Sequence, residues 1–370
     1  MTSESPLKTA LFDEHVALGA RMAPFSGFLM PIQYTGTLRE HEATRTAATL
    51  FDTCHMGEFR VSGPVAEADL ERLLSCDVAS LSPGRCRYGL LCNEDGGVLD
   101  DLLVYRLAPD AFMLVVNAGT RAKDFRWIQA RISHSTVLSD LGADTAKLDL
   151  QGPVSPRILR GLVPESLTGF GFYSFRRATF CGRPILVSRT GYTGEIGFEL
   201  YCAPDTVRGL WRACMTAGAI PAGLGARDTL RLEMGMPLYG HELSEQRNAA
   251  ESCFTRAISM TKHFVGSEAV RSIPAKRSAL AGIGMAGRRA ARAGDTVCAD
   301  GKRVGTVTSG SYAPSLGRAV AMAYVDRPWD APGTAVIVMG TRDELEGVVE
   351  TMPFYSRGTA REDIDRFLGA

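Results

Sequence analysis

Short apolar runs broken by turn residues recur along the chain, and long helical stripes are few. Leu102–Leu107 and Phe112–Val116 flank Ala108-Pro109-Asp110, a pattern that predicts a β-hairpin. Ala118–Ile132 then places Phe125, Ile128 and Ile132 at helical spacing, which predicts a helix with those residues on one face. Lys147–Leu150 predicts a short strand ending at Gln151-Gly152-Pro153. Pro184–Arg189 and Gly197–Tyr201 predict strands around the turn Thr190-Gly191-Tyr192-Thr193-Gly194. Asp205 is placed to cap a helix that turns Val207, Leu210, Trp211 and Cys214 inward.

The pattern changes after Ser272. From Leu280 onward, short apolar runs alternate with turns such as Ala299-Asp300-Gly301 and Ser309-Gly310. Arg303–Thr308, Ala319–Val325, Ala335–Met339 and Leu345–Thr351 are the candidate strands. Many short strands with glycine turns predict an antiparallel barrel or sandwich. The basic stretch Ser272–Ser278 is the expected linker. The fold class is therefore α+β with an all-β C-terminal domain, and no 20–50-residue repeat is visible.

Composition narrows the function classes. The 370 residues carry 41 Lys+Arg against 41 Asp+Glu, so a general nucleic-acid coat, which needs a basic excess, is excluded. A hydrophobic content of 45% and a charged content of 22% are those of a globular protein, not a disordered or fibrous one. Nine scattered cysteines without a C-x-x-C pair read as free thiols in a reducing compartment. The N-terminal stretch has no apolar signal core, and no apolar run is long enough to span a membrane, so the expected location is the cytoplasm.

Two motifs fail on inspection. Gly223-Leu224-Gly225-Ala226-Arg227-Asp228 starts like a phosphate-cradling loop but ends in Asp. His241-Glu242-Leu243-Ser244-Glu245 lacks the second histidine of a zinc helix. The six histidines show no metal-ligand spacing, so no metal is expected, and surface or capping roles are their ordinary reading.

Two carboxylate segments carry more. In Asn93–Leu102 a Gly-Gly turn feeds a strand that opens with Asp100 and Asp101. Neighbours on a strand point to opposite faces, so one Asp can enter a cavity while the other faces away. Asp101 alternates with Leu103 and Tyr105, and a carboxyl partly desolvated beside such groups has a raised pKa suited to proton handling. In Ser188–Glu199, Gly191 and Gly194 allow a tight turn or the close approach of a ligand, and Tyr192 offers an aromatic face and a hydroxyl. Glu199 can accept two parallel hydrogen bonds from a planar, amidine-like edge, the geometry of a pterin or purine. For both segments the ordinary alternative is a plain turn with solvated carboxylates.

Phe51-Asp52-Thr53-Cys54-His55-Met56-Gly57-Glu58-Phe59, Asn93–Asp101, Thr190–Glu199, Gly223–Glu233, Thr308-Ser309-Gly310 and Pro314-Ser315-Leu316-Gly317 occur in this order and at matching separations. Together they resemble the glycine cleavage system T-protein family, over about residues 6 to 355. The resemblance implies a three-lobed, cloverleaf-like folate-binding fold, with a folate-binding region at 6–271 and a C-terminal β-barrel domain at 279–356. It implies an aminomethyltransferase that moves a methylene from an aminomethyl-lipoyl carrier (H) protein to tetrahydrofolate, a co-substrate, with release of ammonia. It places the catalytic carboxylate at Asp101 and folate contacts at Met56, Tyr88, Asn117, Tyr192, Glu199 and Arg227. Arg227 would meet a folate acceptor or pair with Glu199.

The sequence departs from the family pattern in two places. Cys54 stands where Ser is common. In Gln246–Met260, Ala249 replaces the proline after Asn248, and Arg256 stands where a tryptophan is expected. These departures keep two alternatives in view. One is a folate-linked demethylase acting on a small methylated donor. The other is a non-catalytic folate-binding factor, whose Lys-Gly-Cys-Tyr-x-Gly-Gln-Glu signature is absent here.

Overall fold

Three β-systems, each with its own apolar core, make up the chain. The computed structural model describes residues 5–252, 254–272, 278–341 and 344–369. Cys253 and all but the end residues of the expected 272–278 linker lie outside them.

The first lobe is a five-stranded antiparallel sheet in the order Cys86–Cys92, Val98–Ala108, Ala111–Val116, Gly57–Ser62, Val137–Asp140. Its strands alternate with period two. Phe59, Val61, Leu102, Val104, Phe112, Leu114 and Val116 pack on the helices Ala66–Leu73 and Arg121–Gln129. The predicted hairpin is present with longer strands and a tighter turn at Pro109-Asp110. The helix is shorter than the expected Ala118–Ile132, because the Thr120 hydroxyl donates to the Asn117 carbonyl (3.0 Å) and holds the preceding residues in a turn. Ile128 is buried on it as expected, with Phe125 and Ile132 against the same core.

The second lobe is a six-stranded sheet in the order Phe175–Phe180, Arg183–Ser188, Gly197–Cys202, Ala146–Gln151, Thr49–Asp52, Ile220–Pro221, the last strand parallel to its neighbour. Leu148, Leu150, Ile185, Val187, Phe198 and Leu200 bury one face under the helices Ser155–Leu162 and Pro204–Thr216. Val207, Leu210, Trp211 and Cys214 face inward as predicted, each worth about 1.5–3 kcal/mol when fully buried. Asp205 does not cap that helix. Ala203 precedes it, Pro204 takes the first position, and Asp205 in the first turn pairs with Arg183.

The third lobe is a closed six-stranded barrel in the order Ala279–Met285, Arg318–Val325, Lys302–Ala313, Thr296–Ala299, Ala335–Met339, Glu344–Glu350, the last strand pairing back to the first. Ser309-Gly310, expected as a turn, lies inside the strand Lys302–Ala313 beside a register shift after Val307. That bulge bends the strand without ending it, as barrel closure requires. Arg45, on the helix Thr37–Thr46, ties the second lobe to the barrel. It donates to the Thr193 carbonyl (2.6 Å), Glu195 (2.9 Å) and Glu233 (2.8 Å), and its guanidinium lies 4.1 Å from the Tyr355 ring centre. Glu233 in turn accepts the backbone N–H of Ser315 (2.8 Å). Among the described residues no helix is long and apolar enough to cross a membrane.

Candidate active site

Each of the first two sheets packs one face on its own core, and the opposite faces meet. Strand alternation puts Asp101, Leu103 and Tyr105, with Met113, Val115 and Glu58, on the free face of the first sheet. It puts Lys147, Asp149, Gln151, Glu199, Tyr201 and Ser188 on that of the second. Tyr105, Met113 and Val115 pack with Phe175 and Tyr201 across the junction. The Tyr105 hydroxyl lies 3.0 Å from that of Tyr201. The candidate site is the junction between these faces.

On the first wall, Tyr88 donates its hydroxyl to Asp101 Oδ2 (3.0 Å) and Asn117 Nδ2 donates to Asp101 Oδ1 (2.9 Å). Asp101 is partly buried, whereas Asp100 is completely enclosed, so Asp101 is the less enclosed member of the pair. Asp100 does not reach solvent as a residue facing away would. It accepts Asn117 Nδ2 (2.9 Å) and the Asn117 backbone N–H (3.0 Å). Burial, then the neighbouring Asp100 charge, pushes Asp101 up to about 7, against the two bonds that favour its ionised form. The Gly-Gly turn that launches this strand is pinned from outside. A Cβ on Gly97 would sit 1.9 Å from the Glu245 carbonyl oxygen, so only glycine fits.

Glu58 belongs to the same wall and was not singled out in the sequence. Its register partner is Val115, itself opposite Leu103. Its carboxyl is buried, and Oε2 has no hydrogen-bond partner. Burial raises it to about 8, only partly offset by Lys147 and Arg121. A buried acceptor left open beside a cleft is what a ligand N–H would complete.

The second wall is built differently. Lys147 Nζ lies 2.8 Å from Glu199 Oε1 and 3.1 Å from Asp149 Oδ1, and Arg227 Nη1 lies 2.5 Å from Asp149 Oδ2. Burial opposes ionisation of Asp149, but the charges of Lys147 and Arg227 outweigh it and hold the carboxyl below its usual range. Lys147 is likewise held above its usual range by Asp149 and Glu199, despite burial. Arg227 therefore pairs with Asp149, and Lys147 takes the place beside Glu199 that the sequence left open to Arg227. Glu199 Oε2 accepts the hydroxyls of Tyr105 (3.1 Å), Thr190 (2.7 Å) and Tyr201 (3.0 Å). Arg227 also lies over the Tyr192 ring, 4.8 Å from its centre, and the Tyr192 hydroxyl donates to the Pro237 carbonyl. Met56 completes the junction with its sulfur 3.5 Å from Lys147 Nζ. The Gly191 turn is set by contact, since a Cβ there would fall 2.0 Å from Gln151 Oε1.

All seven predicted site residues thus lie on the two facing walls or in contact with residues there. Asp101, Tyr88 and Asn117 form one cluster. Glu199, Met56, Arg227 and Tyr192 form another, joined through Lys147 and Asp149. Lys147 and Asp149 were legible only as strand residues. Their signal was the alternation of Lys147, Asp149 and Gln151 with Leu148 and Leu150. Three of the six histidines are buried rather than superficial. His15 meets Asp52 at 2.8 Å, His41 lies 2.8 Å from the Thr229 hydroxyl, and His55 packs edge-on against Phe25. Among the described residues no cluster of His, Cys, Asp and Glu could hold a metal ion. Arg256 is exposed on a short 3-10 turn, and Asn248 bridges to Gly97, so the atypical 246–260 stretch borders the Asp100-Asp101 strand.

Residues 11–262 match the model of the GCVT N-terminal domain and residues 279–356 that of the glycine cleavage T-protein C-terminal barrel domain. An aminomethyltransferase of Symbiobacterium thermophilum is 44% identical, over 95% of this chain and 98% of the relative. One of Rubrobacter xylanophilus is 43% identical, over 95% and 94%. The crystal structure of glycine cleavage system aminomethyltransferase T from Bartonella henselae superposes with a TM-score of 0.88 at 33% identity, covering 95% of this chain and 98% of that one. Sequence, fold and similarity along nearly the whole length agree: the chain belongs to the glycine cleavage T-protein family and is an aminomethyltransferase.

Proposed function

We propose that the enzyme binds tetrahydrofolate in the cleft between the two sheets and transfers to it the methylene of an aminomethyl group held on a lipoylated carrier protein. The carrier sulfur regains a thiol, the amine leaves as ammonia, and the methylene ends between two folate nitrogens. The observation that carries this reading is the contrast between the facing walls: Asp101 held only by the neutral donors Tyr88 and Asn117, opposite the paired charges of Lys147, Asp149, Arg227 and Glu199. Asp101 takes the proton released as a folate nitrogen bonds to carbon, and its charge steadies the cationic methylene-iminium centre. Tyr88 and Asn117 hold its two oxygens, so its orientation is set before the substrate arrives.

The amidine-like edge of a pterin presents N–H donors, and the cleft offers acceptors for it. Glu58 has an open oxygen for one of them, and Glu199 at the base, which already holds four donors, would exchange one of these for the pterin edge. Tyr192, under the Arg227 guanidinium, gives a flat surface for an aromatic neighbour, and Met56 packs beneath it. Residues 6–271 form the folate-binding region and 279–356 the barrel domain, and the protein works in the cytoplasm.

The test is turnover with tetrahydrofolate and an aminomethyl-lipoyl carrier, with small methylated amines as the second arm. Methylene-folate formation from the carrier alone is expected; activity with the small donors and none with the carrier would replace this reading by a demethylase. Glu199→Ala is expected to weaken tetrahydrofolate binding by about 1.5–3 kcal/mol in calorimetry, the value of a charge-assisted bond. Unchanged affinity would remove Glu199 from the folate site.

A further inference from the structure

Behind Asp101 stand two more carboxyls that the reaction as described does not use. Asp100, on the strand Val98–Ala108, and Asp124, on the helix Arg121–Gln129, are both completely enclosed. Neither oxygen of Asp124 has a well-formed hydrogen bond from a donor, and the side chains that approach it are those of Asp100 and Thr120. The Thr120 hydroxyl is shared with the Asn117 carbonyl, to which it donates at 3.0 Å. The Asp124 side chain instead meets that of Asp100 at hydrogen-bonding range. Two carboxyls in contact and shut away from water cannot both ionise, so one must donate a proton to the other.

Asn117 links this pair to the cleft. Its backbone N–H and Nδ2 donate to Asp100 (3.0 and 2.9 Å), and the same Nδ2 donates to Asp101 Oδ1 (2.9 Å). We propose that Asp100 and Asp124 share one proton, that the single charge they retain sets the protonation of Asp101, and that Asp124 is a positioning residue for the reaction. This rests on Asp101 being the reacting carboxylate. Burial with the partner's charge raises Asp100 well above its usual range, and burial lifts Asp124 to about 6, as a shared proton requires.

The other polar groups around the three carboxyls are fixed. Lys123, beside Asp124, is held by the Leu99 carbonyl (2.9 Å), the Tyr239 hydroxyl (3.0 Å) and Glu245 (2.7 Å). Tyr88 and Tyr192 face Asp101, and Tyr239 faces Asp100. All of these remain in the variants that test the proposal.

Asp124→Asn sets a neutral donor against Asp100, so the whole charge rests on Asp100, next to Asp101. Asp100→Asn leaves the charge on Asp124, farther back. The acid limb of the kcat/KM profile is therefore expected to move up by about one pH unit in Asp124→Asn and down in Asp100→Asn. Above its limb, Asp124→Asn is expected to keep kcat within a few-fold and KM for tetrahydrofolate unchanged. A merely structural role would not shift the two limbs in opposite directions; unmoved limbs, or a shift of the same sign in both variants, overturns the proposal. Near-normal turnover in Asp101→Asn would instead defeat the reading of Asp101, and so separates the two failures. Should Asp124→Asn not fold, infrared spectroscopy decides. A carboxylic-acid band that persists in alkaline buffer is expected in the wild type and lost in Asp100→Asn; its absence from the wild type overturns the shared proton.

Discussion

The two walls of the cleft use the same residue types to opposite ends. On the wall of the first sheet, Asp101 and Glu58 have no cation in contact, and burial lifts them to about 7 and 8. On the wall of the second sheet, Asp149 sits between Lys147 and Arg227 and is held ionised in an equally dry place. Burial is common to both, so the partner decides. A carboxyl beside neutral donors exchanges protons near neutral pH, whereas one beside cations is a fixed charge. The first wall is suited to chemistry and the second to holding and orienting.

The largest expected effect breaks the first wall. Asp101→Asn should lower turnover by about 10²–10⁴-fold while tetrahydrofolate affinity stays within a few-fold, as steady-state kinetics and calorimetry would show together. A normal rate would mean that the poised carboxyl is not the reacting one. The second wall is broken by Lys147→Met, which leaves Asp149 and Glu199 buried with one cation fewer. Denaturant unfolding should show a loss of about 3–5 kcal/mol, the cost of an uncompensated buried charge. A loss below about 1 kcal/mol would show that the pairing does not hold this wall together.

Glu58 sharpens the contrast through pH. Its folded pKa of about 8 lies above the ordinary 4.5, so the folded state keeps a proton that the unfolded chain releases between those values. Glu58 therefore lowers stability as pH rises through that window, opposite to a carboxylate paired with a cation. Glu58→Gln should unfold with a flatter pH dependence, losing less stability than the wild type by up to about 1.4 kcal/mol per pH unit through that window, read from chemical denaturation across pH. The smallest effect lies outside the cleft. Glu350 and Arg318 form a half-exposed pair on the barrel (2.7 Å), and Glu350→Gln should change stability by less than about 1 kcal/mol.

Much of this contrast was legible in the chain. Asp100-Asp101 on a strand after a Gly-Gly turn pointed to two carboxyls on opposite faces, and the strand does set Asp101 toward the second sheet and Asp100 into the core. The order of motifs brought Glu199, Tyr192 and Arg227 to the same place. The second wall was hidden for a physical reason. Lys147, Asp149 and Gln151 alternate with leucines, the ordinary mark of a strand with one face in water. What makes that face a site is a second sheet contributing Tyr105, 94 residues from Glu199 in sequence. Local periodicity reports that a face is polar and is silent about what covers it. Glu58 escaped for the same reason, and the reach of Asn117 to both Asp100 and Asp101 depends on a turn that the apolar pattern read as helix.

One side chain at the junction of the lobes has a consequence for how the molecule comes apart. Arg45 gives its guanidinium to Thr193, Glu195 and Glu233 and stacks on Tyr355, while Glu233 holds Ser315. Opening any one of these segments strands a charge that its neighbours had neutralised. The second lobe and the barrel are thereby coupled, and a calorimetric scan is expected to register their two cores in one transition rather than two.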